Sequence, residues 1–140
     1  MTTPPGGEPV GDVPVVSNDD VVRVRQIVRS AADSAGFSLV DQTKIVTAAS
    51  ELARNTLVHG GGGTAVIERS VNDRRKAGLR IVFTDRGPGI PDVEQALTDG
   101  WSTGNGLGLG LSGARRLVDE FTLESAVGEG TTVTVVKWIR

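Results

Sequence analysis

Asp85 to Ala114 reads DRGPGIPDVEQALTDGWSTGNGLGLGLSGA, and Gly104, Gly106, Gly108, Gly110 and Gly113 crowd its end. Glycine is entropically costly and is kept where the backbone takes positive φ or comes close to a bulky neighbour. The helix-like segment ARRLVDEF follows at once, so the stretch predicts a loop of bare N–H groups running into a helix N-terminus. Such an arrangement cradles phosphate.

Gly108-Leu109-Gly110-Leu111-Ser112-Gly113 satisfies the dinucleotide pattern G-x-G-x-x-G, but that fold requires a strand directly before the glycines. The polar segment from Asp99 to Asn105 stands there instead, and too little chain follows. A Walker loop is excluded because no G-x-x-x-x-G-K-[ST] occurs.

Upstream, Asp85 ends the apolar strand-like segment IVFTD, with Gly87 and Gly89 after it. An acid in this position can accept a hydrogen bond from a base amino group, and the glycines let the backbone approach a planar ring. A strand running into a turn would use the same residue types. Further back, Glu51 and Asn55 lie four apart in ASELARNTLVHG and share one helix face. A carboxylate can orient or deprotonate a hydroxyl, and an amide oxygen suits Mg²⁺. Taken alone, this pair reads first as a solvated helix face.

Met1 to Asp12 is rich in proline and glycine and reads as a flexible tail, with the domain proper over residues 13–140. Val13 to Val16 predicts a short edge strand. Ser17, Asn18 and Asp19 offer N-caps for a helix ended by Gly36. Ser38 and Asp41 form a capping box for a second helix, which reaches about His59 with Ile45, Ala48, Ala49, Leu52, Ala53 and Thr56 on its packing face. Thr64–Val71 with Leu79–Thr84, and Phe121–Ala126 with Thr131–Ile139, read as hairpins on either side of a helix over Ser112–Asp119. This order predicts an α+β fold, a two-layer sandwich of one mixed β-sheet with helices on one face.

The 140 residues make one domain, and 15 basic against 17 acidic residues leave a net charge of −2, so neither nucleic acid nor an anionic membrane is an expected partner. The absence of cysteine excludes disulfides and thiol catalysis. No apolar run of about eighteen residues and no signal-peptide pattern occur, which predicts a cytoplasmic location.

The motifs ExxxN, DxGxG and GxGxG, followed by Gly128-Glu129-Gly130-Thr131, resemble in order the Bergerat (GHKL) ATP-binding fold of gyrase, Hsp90 and histidine kinases. A lone domain carrying SELARN, DRGPGIPD, DGWSTGNGLGLGL and RRLVDEF is most similar to the anti-sigma-factor serine/threonine kinases, in particular the switch kinases of the stressosome. That resemblance implies ATP and Mg²⁺ as cofactors, Glu51 as catalytic base and Asn55 as metal ligand. It implies that Asp85 reads adenine with Gly87, Gly89 and Thr131 around it. Gly104, Gly106, Leu107, Gly108, Leu109 and Gly110 are implied in phosphate binding, with Trp101 to Asn105 as a lid. The implied partners are STAS-domain antagonist and scaffold proteins and a PP2C-type phosphatase. The ending Thr56-Leu57-Val58-His59-Gly60 instead resembles the branch that binds a sigma factor directly, with His59 at a helix end near the pocket. Arg115 and Arg116 are placed at a helix start, where their charge opposes the dipole.

Overall fold

Pairing with a neighbour, rather than burial, orders the first described residues. In the computed structural model, which describes residues 8–97 and 110–140, strand β1 spans Glu8–Val15. Residues 8–12, assigned by composition to the tail, are therefore strand. Glu8, Pro9 and Val10 are exposed while Val13 and Val15 are buried, so the early part of β1 carries little hydrophobic signal. It is held by antiparallel pairing with β2 (Gly63–Val71), with a register shift between Pro9 and Gly11. Residues 1–7 of the expected tail lie outside the described residues.

Helix α1 (Asn18–Ala35) is capped by Ser17, whose hydroxyl accepts the Asp20 N–H at 3.3 Å, and it stops at Gly36 in the left-handed region. Helix α2 (Leu39–Val58) starts as the sequence predicts, with Ser38 Oγ accepting the Asp41 N–H at 3.2 Å. Gln42 Nε2 donates to the Phe37 carbonyl at 3.0 Å and to Asp33 Oδ1 at 3.3 Å, which secures the short turn between the helices. The predicted face of α2 is buried in full: Ile45, Ala48, Ala49, Leu52, Ala53 and Thr56.

That face lies on a five-stranded sheet of order β1-β2-β3-β5-β4, with β3 at Ala77–Asp85, β4 at Glu120–Ala126 and β5 at Gly130–Trp138. The alternation of each strand turns Ala65, Ile67, Leu79, Ile81, Phe83, Val133 and Val135 toward the core. The two-layer α+β sandwich with helices on one face is what the structure has. The sheet, expected to be mixed, is antiparallel at each of its described pairings. Two pairs are hairpins, and α1 and α2 turn the chain back so that β2 arrives against β1.

Two short helices complete the described residues, α3 (Val93–Ala96) and α4 (Leu111–Arg116). The sequence reading contained no α3, whose cap Asp92 lies in a turn-rich segment. Because α4 ends at Arg116, Arg115 and Arg116 occupy its last turn, where positive charge complements the dipole instead of opposing it. Trp138, on the outer face of the sheet, donates its Nε1–H to Glu120 Oε2 at 2.7 Å.

Asp20 is buried at the start of α1, and its Oδ2 accepts from the Val16 N–H at 2.9 Å and the Ser17 hydroxyl at 3.1 Å. The Val16 N–H foremost, aided by Ser17 and Arg23 and opposed by desolvation, holds the carboxyl below the ordinary value of 3.8. A depressed folded-state pKa adds stability above the unfolded value, and that stability is lost as pH falls through the folded one. Asp20→Asn should thus lower the melting temperature near neutral pH, and the gap from wild type should shrink as the pH drops below 3.8 in a series of thermal melts.

Candidate active site

The C-terminal half of α2 faces the ends of β3 and β5, and between them lies a pocket of about 450 Å³, open mouth included. Leu52, Phe83, Ile90, Leu111 and Val133 give it apolar walls, while Asn55, Thr56, His59, Asp85 and Thr131 supply polar groups. An apolar slot with a few convergent polar groups suits a flat heteroaromatic ligand.

Asp85 is the last residue of β3 and pairs in register with Thr131 at the start of β5. Its Oδ1 accepts the Gly87 N–H at 2.8 Å, which fixes the carboxylate and leaves Oδ2 without a hydrogen bond among the described residues. Gly89 takes φ 79°, and a Cβ there would collide with the Ala126 carbonyl, so the turn after β3 is pressed onto the end of β4. Asp85, Gly89 and Thr131 all line the pocket, and Gly87 adjoins it through Asp85.

Glu51 and Asn55 arrive on one face of α2 as their spacing requires. Asn55 is half-buried and lines the pocket; Glu51, one turn earlier, is exposed and does not line it. The Glu51 carboxylate instead lies against Gly110, the N-cap of α4, where a built Cβ would sit 2.5 Å from Oε2. Gly110 also takes φ 65°, and it is this conformation that calls for glycine. The ExxxN motif and the end of the glycine run therefore meet. Gly104, Gly106, Leu107, Gly108 and Leu109, together with the expected lid from Trp101 to Asn105, lie outside the described residues. His59 is the C-cap of α2, donating its N–H to the Asn55 carbonyl at 2.9 Å, and it borders the pocket as expected.

Ser125 belongs to the site although nothing in the motifs marks it. On β4, in register with Thr131, its Oγ accepts the Ile90 N–H at 2.8 Å, reaches the Gly130 carbonyl at 3.0 Å and shares a hydrogen bond with Thr131 Oγ1 at 2.8 Å. One hydroxyl thus joins the turn after β3 to the β4–β5 hairpin and orients Thr131. The available signal was alternation, since Phe121, Leu123 and Ser125 share a face of β4.

Among the described residues no group of three or more His, Cys, Asp or Glu side chains could hold a metal. A divalent cation here would not be caged by such side chains among the described residues. Mg²⁺ is commonly bound in that way, through one or two side chains completed by substrate phosphates and water. Asn55, polar and lining the pocket one turn from Glu51, fits such a site.

The geometry agrees with the similarities of the chain. It is 49% identical over 128 residues, 91% of this chain and 96% of the relative, to serine/threonine-protein kinase RsbT of Bacillus subtilis. The anti-sigma F factor of Geobacillus kaustophilus is 33% identical over 104 residues, 69% of each chain. Among solved structures, the fold resembles the RsbU and RsbW domains of a Mycobacterium tuberculosis protein, with TM-score 0.60 and 22% identity over 91% of this chain and 31% of that one. It also resembles the catalytic domain of histidine kinase ThkA, with TM-score 0.51 and 18% identity over 86% of this chain and 90% of that one. Residues 40–139, from the start of α2 to the end of the sheet, match the family model, and the chain belongs to the histidine kinase-, DNA gyrase B- and HSP90-like ATPase family.

Proposed function

We infer that this chain is an ATP-dependent serine/threonine protein kinase of sigma-factor stress regulation. The observation that carries this reading is the meeting of Asn55 and Asp85 in one pocket, with Glu51, one turn from Asn55, against the glycine that ends the glycine run. The extent of the likeness to a serine/threonine-protein kinase supports the activity, because it covers nearly the whole of both chains.

In this reading Asp85 Oδ2 accepts a hydrogen bond from the adenine 6-amino group, while the Gly87 N–H holds Oδ1. Thr131, oriented by Ser125, closes the same edge. The glycine run over residues 104–110 is the phosphate-binding stretch of this reading. Glu51 orients the incoming serine or threonine hydroxyl and takes its proton as that oxygen bonds to the γ-phosphorus and ADP leaves. Asn55 would hold Mg²⁺, which supplies positive charge against the phosphates. Little covalent chemistry falls to the protein in such a transfer, and position and charge do most of the work.

The substrates we propose are a STAS-domain antagonist and a STAS-domain scaffold protein, with a PP2C-type phosphatase as the partner after release from the scaffold. The compartment we propose is the cytoplasm; no described helix is long and apolar enough to cross a membrane. A direct sigma-factor partner has the weaker support of the likeness to an anti-sigma F factor. Co-purification separates the two, because a STAS protein or phosphatase in the complex favours the kinase and a sigma factor favours sequestration.

Glu51→Ala should leave ATP binding intact and reduce phosphotransfer to a STAS protein by about 10²–10⁴-fold, the usual contribution of a general base. Radiolabel transfer from γ-labelled ATP measures this, and undiminished transfer would remove Glu51 from the role. Asp85→Asn should weaken ATP binding by roughly tenfold or more, as expected for loss of a charge-assisted hydrogen bond. Calorimetric titration showing wild-type affinity would take Asp85 out of the base site.

A further inference from the structure

Gly60 follows the C-cap of α2 and lies directly against Asp85. A Cβ built on it would overlap Asp85 Cγ and sit 2.5 Å from both Cβ and Oδ2 of that residue, and these three atoms are its nearest neighbours. On the other side, a Cβ built on Gly87 would lie 2.7 Å from Gly60 Cα and 2.8 Å from the Gly60 carbonyl oxygen. The end of α2, the end of β3 and the turn after it meet with no room for a methyl group.

Conformation does not explain this glycine. Gly61 and Gly62 take φ 73° and 108° and carry the left-handed turn out of the helix, whereas Gly60 is not among the positive-φ residues. Space alone requires it. Its position is also anchored, because its N–H donates to the Asn55 carbonyl at 3.0 Å, the acceptor that His59 uses at 2.9 Å, and the Gly62 N–H donates to the Thr56 carbonyl at 2.9 Å. The last turn of α2 is therefore a fixed surface on which the Asp85 carboxylate rests, with Gly87 holding its other oxygen at 2.8 Å.

We propose that Gly60 is the positioning residue for Asp85, and that its bare Cα sets the preference of the pocket for a purine bearing a 6-amino donor. The proposal rests on the reading of Asp85 as the adenine acceptor. With a methyl group at position 60, the carboxylate must rotate or shift away from the helix end, losing either the Gly87 N–H or the direction of Oδ2. ATP and inosine triphosphate differ at this edge, since the amino donor of adenine becomes a carbonyl acceptor in hypoxanthine. A carboxylate held in place favours the first and repels the second.

The test is the ratio of affinities for ATP and inosine triphosphate, measured by calorimetry on the full chain with Mg²⁺ for wild type, Asp85→Asn and Gly60→Ala, with a thermal melt of each variant. Wild type should prefer ATP, and Gly60→Ala should lower that preference about tenfold, comparable to Asp85→Asn, as expected for one charge-assisted hydrogen bond. A merely structural role would reduce the folded fraction and weaken both nucleotides alike, so an unchanged ratio in Gly60→Ala overturns the proposal. If Asp85→Asn abolishes the preference and Gly60→Ala retains it, the positioning role fails and the adenine reading stands. If Asp85→Asn leaves the ratio unaltered, both fail. Should Gly60→Ala not fold, the double variant Gly60→Ala with Asp85→Gly removes all three of the crowded atoms. Recovery of folding supports the contact, and continued unfolding overturns it.

Discussion

The close packing of α2 on the sheet is the constraint on which the site depends. Ala48, Ala49, Leu52 and Ala53 are at most 1% exposed, and this small-residue face lets the helix lie near β3 and β2. At the C-terminal end the approach leaves no room for a side chain on β2, since a Cβ on Gly63 would lie 2.8 Å from Thr56 Cγ2. Added methylenes on such a face cost about 1–3 kcal/mol or move the helix. Moving the helix would carry Asn55 away from Asp85, so the alanines that build the core also set the width of the pocket.

At the other end of α2, Lys137 of β5 is 2% exposed with its Nζ 3.7 Å from Asp41 Oδ1. A buried ion pair is weak evidence of net stabilisation, because desolvation opposes the attraction. Its geometric effect is plain, however. One end of β5 is tied to the start of α2 through Lys137, while the opposite end presents Thr131 to the pocket beside the end of that helix. Helix and strand share a frame at both ends, and Asn55 and Thr131, which line the pocket, are carried on that frame.

The loops are joined to it by backbone and hydroxyl contacts rather than by large side chains. Ser125 collects the Ile90 N–H, the Gly130 carbonyl and the Thr131 hydroxyl, and the Pro88 carbonyl accepts the Gly128 N–H at 2.9 Å. The turn after β3 is thereby fastened to the β4–β5 hairpin behind the Asp85 side of the pocket. The Glu51 carboxylate rests against Gly110 at the start of α4. A preorganised pocket wall and a carboxylate beside the start of α4 suit a reaction governed by positioning.

Much was legible in the chain by itself. Helical spacing and the Ser38 cap located α2, alternation located the hairpins, and the order of Glu51, Asn55, Asp85 and the glycine run carried the likeness to the ATPase family. These signals are local, since caps, periodicity and turn residues act within a few positions of one another. Strand β1 began earlier than composition implied because its first residues are ordered by β2, and α3 gave no periodic signal in its single turn. The placing of β5 between β3 and β4, the use of Ser125 to orient Thr131 and the steric need for glycine at position 60 were decided by the tertiary structure alone. Each depends on residues far apart in the chain meeting at van der Waals distance, and neither periodicity nor propensity encodes which surfaces will touch.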